Sequence, residues 1–282
     1  MLRTAKKLMP RWSRRPSSRG QSAGLANAQG WKSCLATLET EIDTVLLDCD
    51  GVLWNGDTII PGTREALASF RASGKRLIFI TNNATKSRKM AAEKFEKLGI
   101  LGVAAEDIIT SGYSAARYLR AQEFDRRGVG GISAMVVGGA GITDELELAS
   151  IPTVAPEPEP ELEPPYPTSV SAASFNAWEV DPRVGAVVVG MDTQLSYRRV
   201  AAAALALQNP DCLFIATNMD AADNVGSGER PRLMPGAGAA VGALVGCTGR
   251  EPVNCGKGGQ WILELLEVNN DEFCINNDEF CI

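Results

Sequence analysis

Short apolar runs alternate with stretches of helical period along most of the chain. Val45 to Leu47 is apolar and opens directly into Asp48-Cys49-Asp50-Gly51, with Val52, Leu53 and Trp54 following. The pattern then predicts a helix from about Thr63 to Ser73, a strand from Arg76 to Ile80, a helix from about Ser87 to Leu98, and a strand from Asp107 to Thr110. Strands alternating with helices predict a parallel sheet with right-handed crossovers. Asp48 and Thr81 then fall side by side at the carboxyl ends of two strands. Gly62 and Gly74 punctuate the first helix.

A second set of elements follows between Gly112 and about Arg250. It comprises strands at Ala134 to Val137, Ala186 to Val189 and Leu213 to Ala216, and helices at Ser196 to Gln208 and Gly238 to Val245. Residues 152 to 167 break this rhythm, with seven of the fifteen prolines and four glutamates. Such a composition cannot pack as a core element and reads as a flexible or polyproline surface loop. Gly236-Ala-Gly238-Ala-Ala-Val-Gly242 is near a dinucleotide fingerprint, but its spacing is off and Arg232-Leu-Met-Pro235 before it reads as no strand. A helix start after Pro235 is the better reading. A last helix is predicted from Gln260 to Val268.

Ligands bind at the carboxyl ends of strands in parallel sheets, and Asp48 and Asp50 sit at such an end. Alternation along an extended backbone puts them on one side. Asp-x-Asp alone is an ordinary solvated turn, yet the same pair can hold Mg²⁺ through hard oxygens and offer one carboxylate as a nucleophile. The chain has no histidine. That removes Ser-His-Asp catalysis, histidine phosphoenzymes and His-based zinc sites, and leaves carboxylate chemistry.

Composition sharpens the picture at the two ends of the chain. Of 282 residues 45% are hydrophobic, enough for real cores in one large domain or two moderate ones. Residues 1 to 38 carry eight Lys or Arg, five serines and no acid, leaving 20 basic against 34 acidic residues in the remainder. An acidic body argues against nucleic acid as its partner. The arm has the composition of an organelle transit peptide; an intact disordered or nucleic-acid-binding arm is the alternative. No run approaches the ~20 apolar residues that cross a bilayer, so no membrane partner is expected. Seven cysteines form no C-x-x-C pair, which reads as a reducing compartment.

Asp48-Cys-Asp-Gly-Val-Leu-Trp54 and Phe79-Ile-Thr-Asn-Asn-Ala-Thr-Lys-Ser-Arg88 resemble the first two motifs of the haloacid dehalogenase-like phosphatases. The block on to Lys94-Phe-Glu-Lys-Leu-Gly99 resembles the phosphoglycolate phosphatase and 4-nitrophenyl phosphatase branch. The similarity runs from about Asp43 to Glu267. It implies an α/β fold, a Rossmann-like parallel-sheet core with an inserted α/β cap. The expected divisions are an arm at 1–40, core at 41–111, cap at 112–250, core again at 251–268, and a tail at 269–282.

By that resemblance Asp48 attacks phosphorus and binds Mg²⁺. Asp50 protonates the leaving group and then activates water, with its main-chain carbonyl on the metal. Thr81, Asn82 and Asn83 bind the phosphoryl group. Lys257, in Asn254-Cys-Gly-Lys-Gly258, holds nucleophile and phosphate together, although relatives carry Pro where this chain has Gly258. The implied function is Mg²⁺-dependent hydrolysis of a small phosphorylated metabolite, 2-phosphoglycolate being favoured over pyridoxal phosphate and aryl phosphates. The implied location is the chloroplast, with mitochondrion or cytosol as alternatives.

The resemblance stops after Val268. Where relatives continue into a Gly-Asp loop that completes the metal site, this chain has Asn-Asn-Asp-Glu-Phe-Cys-Ile twice, at 269 to 275 and 276 to 282. The expectation is a core incomplete at the carboxyl end, with Asp48's strand exposed as an edge. The rival reading is a non-catalytic family member that binds phosphate or forms a homodimer through its cap.

Overall fold

The computed structural model describes residues 42–124, 133–156, 181–225 and 232–268. The arm at 1–40, most of the Pro/Glu-rich segment and the heptapeptide tail lie outside them.

Two parallel sheets carry the fold. The first is three-stranded, in the order β1 (Thr44–Asp48), β4 (Arg76–Thr81), β5 (Ile108–Thr110). Its register pairs Asp48 with Ile80, so Asp48 and Thr81 finish neighbouring strands as the sequence predicts. Between β1 and β4 lie a small hairpin of β2 (Trp54–Asn55) and β3 (Thr58–Ile59), and helix α1 (Thr63–Ala72). Helix α2 (Arg88–Lys97) joins β4 to β5, and α3 (Ser111–Ala121) leaves β5 at once, its first turn capped by the Thr110 hydroxyl accepting from Tyr113 N–H. Among the described residues β1 is an edge strand.

The second sheet has five strands, ordered β12 (Val253–Asn254), β9 (Leu213–Ala216), β8 (Val184–Val189), β6 (Ser133–Val137) and β7 (Thr153–Val154), every pair parallel. Helix α4 (Ala140–Leu148) links β6 to β7, α5 (Tyr197–Ala206) links β8 to β9, and α6 (Ala237–Thr248) precedes β12. The chain turns back on itself at β6, whose neighbours are β7 and β8, a topological switch point of the kind where open parallel sheets take ligands. Helix α7 (Gln260–Val268) closes the described chain.

Two placements correct the sequence reading. Arg232–Pro235 is a strand after all, β11, paired antiparallel with β10 (Ala222–Val225). Pro235 is tolerated because it ends a strand in an isolated two-stranded ribbon, where its missing N–H costs little. The boundary drawn at 250 separates β12 from α6, but β12 hydrogen-bonds along β9 and belongs to the five-stranded sheet.

One cluster of buried side chains runs through both sheets, from Leu46, Ile78 and Ile80 through Ala134, Val136, Val188 and Ile215 to Trp261 and Leu265. Helices α3 and α7 are stitched inside it by the Trp261 indole N–H donating to Ser114 O at 2.9 Å. Each fully buried Ile or Val contributes roughly 1.5–3 kcal/mol.

Candidate active site

Asp48 ends β1 and Asp50 lies in the turn beyond it. Three of that turn's backbone hydrogen bonds end on Cys49 O, from Val52, Leu53 and Trp54, and a fourth runs from Gly51 N to Trp54 O. Gly51 has φ +87°, a conformation L side chains rarely adopt, which explains glycine after the second aspartate. The side chains of Asp48 and Asp50 keep 36% and 49% of their surface, so both remain reachable by a substrate.

The two carboxylates have different partners. Asp48 Oδ1 receives Lys257 Nζ at 2.6 Å and the Cys49 N–H at 2.7 Å. Asp50 Oδ1 accepts the Trp54 indole N–H at 2.8 Å and has Lys94 Nζ at 3.8 Å, while its Oδ2 accepts the Thr81 hydroxyl at 3.1 Å. Helix α2 builds much of this setting. Its Phe95 lies under Trp54 and Phe79, with ring centroids 4.8 and 4.6 Å away, and its Lys94 ammonium sits 4.6 Å from the Trp54 ring centroid. Cys49, between the carboxylates, is buried. Burial first, then the charges of Asp50 and Asp48, push its thiol far above the usual range, so it stays a neutral packing group.

Asn82 is a junction. Its Oδ1 accepts Lys257 N–H at 2.8 Å and its Nδ2 donates to Asp220 Oδ2 at 2.9 Å. Its main-chain O accepts from Ser111 Oγ at 2.7 Å and from Asn218 Nδ2 at 2.8 Å. The side chain expected to touch phosphate therefore ties the two sheets together. Asn83 Oδ1 accepts from Thr85 N at 3.0 Å and Thr85 Oγ1 at 2.7 Å, closing a local turn, and its N–H reaches Thr81 Oγ1 at 3.1 Å. Of the six residues singled out from sequence, Asp48 pairs with Lys257 and Asp50 with Thr81 by direct side-chain contact, while Asn82 and Asn83 hold the loop's shape.

Trp54, Lys94, Asn218 and Asp220 complete the setting and were not assigned roles from sequence. A signal for one of them, Asn218, existed: Thr217-Asn218 follows the apolar run Leu213–Ala216 just as Thr81-Asn82 ends Leu77–Ile80. The β10–β11 hairpin brings Asp223 to the same place, where burial, then Asp220 and Asp50, raise its carboxyl above the usual range. Gly256 is required for close approach, since a Cβ there would sit 2.6 Å from Thr217 O and 2.8 Å from Asn82 Oδ1. Gly258 has φ +84°, which proline cannot adopt, so the departure from the relatives' pattern at this position matches a turn only glycine takes freely.

A cavity of about 20 Å³ lies beside Asp50, lined among others by Trp54, Thr81, Lys86 and Lys94. A larger one of about 980 Å³ lies apart from the carboxylates, between Arg88, Tyr113, Glu145 and Trp261. Chemistry therefore locates the site better than volume does. For a metal, the Asp48 carboxylate and the Asp50 main-chain carbonyl are hard oxygen donors of the type Mg²⁺ takes. Among the described residues no group of three His, Cys, Asp or Glu side chains is placed to hold a metal. No described helix is long and apolar enough to cross a membrane.

The haloacid dehalogenase-like hydrolase profile matches residues 45–151, the stretch that carries both aspartates and the Asn82 loop. Phosphoglycolate phosphatase 2 of Arabidopsis thaliana is 37% identical over 231 residues, covering 82% of this chain and 72% of that protein. The chloroplastic Phosphoglycolate phosphatase 1A of the same plant is 39% identical over 230 residues, covering 80% of this chain but only 59% of that relative's length. Among solved structures, the glycerol phosphate phosphatase Rv1692 from Mycobacterium tuberculosis, in complex with magnesium, superposes with a TM-score of 0.63 at 27% identity over 83% of this chain and 60% of that one. Paired aspartates at a strand end, a lysine on the first of them and relatives this similar lead to one assignment: the chain belongs to the haloacid dehalogenase-like hydrolase family, among its phosphatases.

Proposed function

We propose that the protein hydrolyses a small phosphate monoester, with 2-phosphoglycolate the favoured substrate, through an aspartyl-phosphate on Asp48. The observation that carries this is the unequal treatment of the two carboxylates. Lys257 Nζ at 2.6 Å holds the Asp48 carboxylate aimed, as a nucleophile needs. Asp50 is held at both oxygens by Trp54 and Thr81, which fixes it for proton transfer to the leaving oxygen and then from water. Lys257 and the Thr81 hydroxyl neutralise and orient the phosphoryl oxygens. The Asp48 carboxylate and the Asp50 carbonyl would hold Mg²⁺, which supplies charge neutralisation at phosphorus when bound.

The substrate choice rests on the two plant relatives named as phosphoglycolate phosphatases. Asp48→Asn should lower turnover of 2-phosphoglycolate by at least about 10³-fold, because an amide is a poor nucleophile. Asp50→Asn should harm 2-phosphoglycolate more than 4-nitrophenyl phosphate, whose leaving group needs no proton. Steady-state kinetics on the purified chain check both; undiminished turnover in Asp48→Asn would remove the nucleophile. A chloroplast address is proposed from the basic residues 1 to 38, which hold no acid, and the chloroplastic relative. A fusion of residues 1 to 40 to a fluorescent protein should enter plastids, and a diffuse cytosolic signal would contradict it.

A further inference from the structure

The phosphoryl-binding loop, residues 82–87, is gripped from outside its own sheet. At one end Asn82 is bound by Asn218 and Asp220. In the middle Thr85 O accepts the Gly141 N–H at 3.2 Å, and a Cβ on Gly141 would overlap the main chain of Lys86. At the far end Glu145, on α4 and only 1% exposed, takes the first N–H of helix α2. Its Oε1 accepts Arg88 N–H at 2.6 Å, and Arg88 Nε lies 3.3 and 3.1 Å from its two oxygens. The α2 cap residue Ser87 makes no side-chain cap bond, so the cap comes from α4 instead. Arg88 is itself fixed from behind, its guanidinium 3.8 Å from the Tyr113 ring centroid.

A buried carboxylate is costly unless fully partnered. If stability were the only return, an apolar pair would serve as well. What the pair does that an apolar pair cannot is fix the main chain where the loop becomes helix, by a charge-assisted bond to a backbone N–H. We propose that Glu145 is a positioning residue for the phosphoryl-binding loop, acting through the Arg88 backbone and guanidinium and assisted by the close contact at Gly141. This rests on the hydrolytic reading above for its effect on turnover. The gain is in the aim of Thr81 and the loop, since misplacement by about 1 Å can cost ~10²-fold in rate.

The test uses the full chain with Glu145→Ala, Glu145→Gln and Gly141→Ala, read by hydrogen exchange and by kinetics with 2-phosphoglycolate. In Glu145→Ala the amides of residues 82–88 should exchange at least about tenfold faster while those of β4 and β8 keep their protection. kcat should fall about 10- to 100-fold at little-changed KM. Glu145→Gln, which keeps an acceptor for the Arg88 N–H, should recover part of both. Gly141→Ala, which pushes the loop from another side without touching the charge, should loosen the same segment. Faster exchange throughout the chain, or none in 82–88 in any variant, would overturn the proposal, as would equal losses in Glu145→Gln and Glu145→Ala. The exchange measurement reads the grip whether or not the chain turns over, so an inactive wild type that shows it would remove the hydrolytic reading alone.

Discussion

Strands β4 and β9 end in nearly the same letters, Phe79-Ile-Thr-Asn82 in one sheet and Phe214-Ile-Ala-Thr-Asn218 in the other, and the two ends meet. Asn218 donates to the main chain of Asn82. Their threonines fare differently. The Thr81 hydroxyl reaches Asp50, whereas the Thr217 hydroxyl is fully buried and, among the described residues, has no hydrogen-bond partner. A Cβ on Gly190 would come within 2.8 Å of that Thr217 oxygen, so a glycine across the sheet makes room for it. One local pattern therefore gives a threonine on the paired aspartates in the first sheet and a buried, unpartnered one in the second. What separates them is which sheet carries the aspartates.

Removing the junction should have the largest effect on this comparison. Asn82→Ala deletes the bonds to Lys257 N–H and Asp220 together, and kcat/KM should fall by about 10²-fold, the scale of displacing reacting groups by about 1 Å. Assays against 2-phosphoglycolate read this, and a loss under tenfold would break the claim that the two strand ends work as a unit. The two threonines give smaller, opposed effects. Thr81→Val should cost about tenfold in turnover with little change in thermal midpoint, since it frees one Asp50 oxygen. Thr217→Val should leave turnover alone and stabilise by up to about 1 kcal/mol, because replacing an unpaired buried hydroxyl by a methyl of the same shape removes a desolvation cost. Calorimetry and kinetics on the pair decide; a destabilised, inactive Thr217→Val would give that hydroxyl a role.

The first sheet and most of the second were legible because buried parallel strands are short apolar runs between helices of clear period. The closeness of Asp48 to Lys257 and of Asp50 to Thr81 was legible because the motifs already grouped these residues. Less visible were α3, which starts at Ser111 with no loop after β5, α4, whose Ala140-Gly141 start carries a weak amphipathic signal, and β11, where Pro235 argues locally against a strand. Asn82 and Asn83 lie where the sequence places them, and the bonds they make within the protein were not legible, since sequence shows that an amide is near and not which way it points. Trp54, Lys94 and Glu145 stayed hidden because their partners lie on other elements. For Glu145 the partner is 57 residues away.

The Asn82–Lys257 bond spans 175 residues, and the Asn82–Asp220 bond spans 138. Contacts this far apart in sequence are among the last a chain can form, because the closure entropy of the intervening stretch precedes any reward. During synthesis, then, the first sheet and both aspartates emerge from the ribosome long before the lysine that restrains Asp48. In a nascent chain Asp50 can already meet Trp54 and Thr81, whereas Asp48 waits for Lys257, whose arrival also joins the two sheets. Joining the two sheets and restraining Asp48 thus become the same step.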